Sequence, residues 1–252
     1  MAEMTELMEK IFDEYKKETA KECYEVEMAD GVPGLMDNKF GGMPYIPKGE
    51  SVPIDSHGQT MALFFQINLK DIALPGYPKE GILEIFNSTT LDIDQESAVR
   101  LFPEGLEPEL DLPEAIYDAD TWDPIVGVPT KIAVKKSVAY MPVNDYRADN
   151  MIKQLFANHG LNIKSIFDIN ETLLDEIINI SIKPYVTIGG YADFTQWDIR
   201  KPGSDLNECL LKVDCSFDEK IGIADGVLSV LCTTNDLKNK VFDNAIMYWD
   251  CT

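Results

Sequence analysis

The chain has 252 residues, 45% hydrophobic and 10% aromatic, enough for a substantial core in one large or two small domains. Its charge is lopsided, with 44 acidic against 22 basic side chains, a formal net charge of −22 and a pI near 4.3. Such a field works against binding to nucleic acid or to anionic membrane surfaces, and it favours capture of a basic partner.

Residues 3–22 are expected to form an amphipathic N-terminal helix, because Met4, Leu7, Met8, Ile11, Phe12 and Tyr15 recur at three- and four-residue intervals. The stretch is charged throughout and lacks the apolar centre of a signal peptide, so a cytoplasmic setting is expected. Five scattered cysteines without a CxxC pair fit reduced thiols and offer no zinc-ligand spacing. Residues 30–53, which include "FGGMPYIP", are rich in Gly and Pro and should be irregular. "MALFFQINL" and "ILEIF" then read as strands, joined through the turn "LPGYPKEG".

Residues 91–124 are acidic and proline-containing, with Arg100 the only basic residue, and read as a solvated segment. They are also the candidate contact surface for a basic protein. Glu107, Glu109, Asp111, Asp118, Asp120 and Asp123 would supply charge, and Tyr117 and Trp122 would be the anchors. The opening "DIDQES" is not an EF-hand loop, since Ser97 stands where glycine is needed and Pro103 where the closing glutamate belongs. No metal site is assigned. Residues 130–142 alternate as a strand and hold Lys131, Lys135 and Lys136. Residues 145–182 read as two helices, one ending on Gly160 and one capped by Asn170, and Pro184 stops the pattern.

The second half replays the first. "CLLKVD" and "DGVLSVL" follow Gly189–Gly190 as "LFFQIN" and "EGILEIF" follow Gly41–Gly42, at an offset of about 145 residues. This predicts an internal duplication, with related halves at about 38–93 and 186–252. The glycine pairs read as corners that need positive φ; neither matches a phosphate-binding glycine motif. If the halves pack about a pseudo-twofold axis, the polar interruptions Gln66, Asn68, Lys212 and Asp214 would meet Gln196 in a cleft. Such a cluster is either a satisfied network or a ligand site. His57 and His159 read as ordinary surface residues, no nucleophile elbow is present, and no catalytic residue or cofactor is assigned.

"GGMPYIP", "FFQINL", "LPGYPKEGILEIF", "DYR" at 145–147, "IGGYADFTQWDIR" and "NDLKNKVFDNAIMYWDCT" run in order over residues 38–252. On these motifs the sequence resembles the YwqG-like family of bacterial proteins, a family of unknown function. It departs from the pattern at Ala192, where relatives usually carry proline, and at "IADG", where many carry Trp-Gly-Asp. The resemblance implies an α+β fold with antiparallel sheet and a bacterial cytoplasmic setting, and it brings no catalytic residues. Some relatives look like immunity-type proteins that accompany secreted toxins. The expectation is therefore one antiparallel, β-rich α+β domain over residues 1–252, with an N-terminal helix and a central helical insertion. Its expected role is non-enzymatic binding of a basic protein, of which toxin neutralisation is one version. The alternative is a small-molecule-binding protein or hydrolase that uses the cleft between halves.

Overall fold

Short runs of β-branched and aromatic residues dominate the chain, and they assemble into one large sheet. The structure, a computed structural model, describes residues 2–89, 96–115, 129–214, 217 and 226–251. Its strands are β1 (Lys21–Met28), β2 (Lys39–Phe40), β3 (Ala62–Asn68), β4 (Ile82–Asn87), β5 (Ser97–Phe102), β6 (Thr130–Ala139), β7 (Val186–Gly189), β8 (Glu208–Asp214), β9 (Val227–Cys232) and β10 (Ile246–Asp250). The helices are α1 (Ala2–Thr19), α2 (Ala148–Asn158), α3 (Glu171–Ile182) and α4 (Thr234–Asn239).

The strands lie in the order β10-β9-β8-β7-β1-β6-β2-β3-β4-β5, every pairing antiparallel. The central pair β1–β6 is flanked by β2–β5 on one side and β7–β10 on the other. Twist curls the sheet until its two ends approach, so that it is nearly a barrel. Its inner face buries Phe40, Phe64, Phe65, Ile85, Leu211 and Val230. Irregular segments cover the outer face, with Tyr45 and Ile46 packing on Leu63 and Phe86, and Ala192 and Phe194 on Cys209 and Leu231. A helical layer adds a further core through Ile11, Tyr15, Ile152, Phe156, Leu173 and Ile177. No helix among the described residues is long and apolar enough to cross a membrane.

The strands expected at "LFFQIN", "ILEIF", residues 130–142, "CLLKVD" and "VLSVL" are β3, β4, β6, β8 and β9. Asn170 caps α3 by accepting from the backbone N–H groups of Thr172 and Leu173, and Gly160 follows α2 with φ +74°. Two expectations need correction. The N-terminal helix stops at Thr19, whose hydroxyl bonds back to the Tyr15 carbonyl at 2.8 Å. Residues 21–28 are instead strand β1, because β6 and β7 pair with it on both sides and override its helix-compatible composition. Within the acidic segment, residues 97–102 are strand β5, anchored by Val99 in the inner core and Phe102 in the outer one.

Both glycine pairs are corners, each at the end of its strand, β2 or β7. Gly41 and Gly42 have φ +63° and +78°, and Gly189 and Gly190 have +75° and +76°. Close approach also excludes a side chain at Gly190, where a Cβ would lie 2.8 Å from that of Ala139.

Candidate functional site

The ends of the sheet leave a seam. Among the described residues, β5 pairs with β4 along its whole length and has no strand on its other side, and β10 pairs only with β9. Across the seam the Arg100 guanidinium lies 3.8 Å from the Asp243 carboxylate. Beside this contact runs a groove of about 800 Å³. Its lining includes the consecutive residues Glu96, Ser97, Ala98, Val99 and Arg100. Side chains alternate across a strand, so a groove that touches five neighbours in a row runs along the strand's edge rather than over one face.

The groove is acidic. Glu50, Glu96, Glu109, Asp111 and Asp243 line it against one cation, Arg100. Val52, Met61, Phe102 and Phe242 give it an apolar floor, and Ile54 at its margin is 65% exposed. Two of the carboxylates hold their own loops in place. Glu96 accepts from the backbone N–H and the hydroxyl of Ser56 at 2.9 and 2.7 Å, and Glu109 accepts from the N–H groups of Leu110 and Asp111. Asp111 and Asp243 are exposed.

Of the sequence-predicted contact residues, Glu109 and Asp111 therefore line the groove. Glu107 lies outside it and is paired with Lys48 at 2.5 Å. Tyr117, Asp118, Asp120, Trp122 and Asp123 lie outside the described residues.

The residues expected to share a cleft are divided between the flanks. Gln66 and Asn68 belong to β3, Lys212 and Asp214 to β8, and four strands, β7, β1, β6 and β2, lie between them. Gln66 is fully buried. Its amide donates to the carbonyls of Leu35 and Asp37, and its oxygen accepts from the Tyr45 N–H. Beside it Glu84 accepts from the same N–H at 2.7 Å, and its second oxygen has no hydrogen-bond partner among the described residues. Burial pushes the Glu84 carboxyl up to about 8, against the pull of the Tyr45 N–H and the Lys39 charge. Burial also pushes Lys39 down to about 8, although its ammonium donates to the carbonyls of Gly34, Leu35 and Met43.

On the other flank Lys212 is buried and donates to the Ile182 carbonyl at 3.0 Å. Nearby Asp193 is pushed up to about 6 by burial, which the Lys212 charge only partly offsets. Asp214 is buried at the end of β8, and Asn68 caps the short 3-10 turn at Leu69–Asp71. Gln196 is exposed and tied to the end of β10, donating from its backbone to Asp250 and from its side chain to the Cys251 carbonyl. Gln66 and Lys212 thus lie buried in separate hydrogen-bonded surroundings, one on each flank.

A third cluster joins two of the quoted motifs. Asp145 of "DYR" receives Arg147 through two hydrogen bonds of 2.7 and 2.6 Å, and Arg200 of "WDIR" at 2.9 Å. Arg200 also grips Asp198, at 2.9 and 2.7 Å, and its guanidinium lies over the rings of Tyr146 and Phe194. Burial alone would raise the Asp145 carboxyl, but the bonds and charge of Arg147, together with the charge of Arg200, hold it below the usual range. Asp145, Asp198 and Arg200 are almost wholly buried, which makes this a structural clamp between the helical layer and the sheet. Burial likewise pushes the Cys23 and Cys209 thiols up to about 11, away from thiolate chemistry.

Fold and groove together define an antiparallel, nearly closed β-sheet protein with a helical flank and an acidic seam. Residues 38–251 match the model of a family described as Domain of unknown function (DUF1963), and the chain belongs to that family. The search of the curated proteins finds no match.

Proposed function

We propose that this chain is a non-enzymatic binding protein and that the groove beside β5 takes a basic protein partner. The observation that carries the reading is the groove's lining, among the described residues, of five carboxylates against one guanidinium, beside a strand edge that no described strand pairs with. The net charge of −22 would steer a cationic partner toward the surface and speed its capture. Neutralising a basic toxin, such as a nuclease whose own site is built for phosphate charge, is one form of this role. A cytoplasmic location belongs to the same proposal, supported by the four described cysteines, all of them free. A small-molecule cleft between halves has less support, because Gln66 and Lys212 lie on separate flanks.

The proposal includes an origin for the seam in a duplicated unit. Supporting it, β3 carries a bulge between Leu63 and Phe65, and β8 carries one between Cys209 and Leu211. In each flank the polar residue two positions before the strand end, Gln66 or Lys212, faces a polar partner, Glu84 or Ser229. Two such units joined at the centre end on β5 and β10, which leaves an edge beside an edge.

The test is binding of fluorescein-labelled octalysine by anisotropy. Affinity should fall steeply between about 50 and 300 mM salt as the charges are screened. Combining Glu109→Gln, Asp111→Asn and Asp243→Asn should weaken binding about ten-fold, from about 0.5 kcal/mol per exposed charge. An affinity untouched by both salt and the substitutions contradicts the reading.

A further inference from the structure

We infer that the partner enters the groove as an extended cationic segment that pairs with β5 and adds a strand to the sheet, an inference that rests on the groove being the partner site. An edge strand carries a row of unpaired N–H and C=O groups, and proteins usually blunt it with proline, a bulge or inward charge. β5 reads "SAVRLF", contains no proline, and pairs with β4 without a register shift, whereas β3 and β8 are both bulged. It is therefore a regular template where the groove borders it, at residues 97–100. The cavity lies along this edge. Among the described residues, Phe242, Asp243 and Ala245, just ahead of β10, are those that reach it from the opposite end of the sheet.

The two walls of the groove differ, and that difference sets the pattern the segment must carry. Val99 and Phe242 belong to the inner core, so side chains of an added strand that turn inward meet apolar surface. Side chains that turn outward meet Glu50, Glu109, Asp111 and Asp243 together with the outer-core residues Val52, Met61 and Phe102. Because successive residues of a strand face opposite ways, the segment that fits alternates Lys or Arg with an apolar residue. Arg100 already shows where such a cation sits: it projects from β5 to Asp243 across the seam.

The experiment uses the full chain and two peptides of about eight residues, long enough to span β5. Both alternate lysine and valine, and in one every backbone nitrogen is methylated, so charge and side chains are kept while the ladder donors are lost. The unmethylated peptide is expected to bind and the methylated one to bind about ten-fold more weakly or worse, since several main-chain hydrogen bonds are removed. Amides of residues 97–102 should slow in hydrogen exchange only with the first peptide. Equal affinity for both peptides overturns strand addition while leaving the acidic-groove reading intact. Failure of both peptides and of octalysine to bind overturns the inference and the reading beneath it.

Discussion

Replacing Glu84 by glutamine removes the most strongly perturbed carboxyl on the β3–β4 face and should change how stability depends on pH. In the unfolded chain this carboxyl ionises near its ordinary value of 4.5, and in the folded protein only near 8. Between those values the folded state holds a proton that the unfolded state has released, so raising the pH favours unfolding. The stabilisation is fully present below about pH 4.5 and is lost as pH rises through about 8. At 1.36 kcal/mol per pH unit the loss reaches about 4 kcal/mol by pH 8. The amide cannot ionise and keeps the oxygen that accepts from the Tyr45 N–H. Urea denaturation followed by circular dichroism should therefore find Glu84→Gln within about 1 kcal/mol of wild type at pH 5. By pH 8 the variant should have gained about 4 kcal/mol on the parent. Lys39, itself depressed to about 8 by burial, is held up in part by the Glu84 charge, so in the variant its titration moves lower and adds its own slope near pH 8. A difference between the two proteins that stays flat from about pH 5 to 8 would show that burial does not raise the Glu84 carboxyl.

Arg200→Ala takes from buried Asp198 the arginine that grips it and leaves Asp145 with Arg147, and should cost about 3–5 kcal/mol in the same denaturation assay. Arg200→Lys should cost less but remain clearly destabilising, because one ammonium cannot reproduce the fork that grips both carboxylates. Gly190→Ala combines φ +76° with a Cβ 2.8 Å from Ala139 and should cost more than about 2 kcal/mol. Gly58→Ala, with φ +77° in open space, should cost only about 1 kcal/mol. Equal losses at the two glycines, read from urea midpoints, would show that close packing plays no part at the second corner.

The apolar strands were legible because their signal is local. "LFFQIN", "ILEIF" and "VLSVL" are β-branched and aromatic runs of strand length between turns, and the glycine pairs announce corners by composition alone. β1 was not legible, since "KECYEVEM" is full of charge and becomes a strand only by pairing with β6 and β7. β5 was hidden for a related reason: two buried residues, Val99 and Phe102, hold it inside an acidic stretch. For the polar residues at matching places, the sequence could not give their arrangement, which depends on how the strands are ordered. The flanks lie on opposite sides of β1–β6, so equivalent positions are kept apart instead of facing each other. The Asp145–Arg200 contact joins residues 55 apart, and the groove joins residues 96–100 to residues 242–245, so only the folded sheet reveals either. Glu109 and Asp111 were read as surface charge from composition, and the curl of the sheet is what sets them beside an open strand edge.

A basic partner that lies along β5 would shield that strand's edge, and hydrogen exchange read by mass spectrometry, with and without saturating alternating lysine–valine peptide, would register it. Exchange should slow in the segments covering residues 96–102 and 242–246, with the helical layer unchanged. Exchange unaltered at β5, with protection elsewhere or nowhere, would contradict that placement.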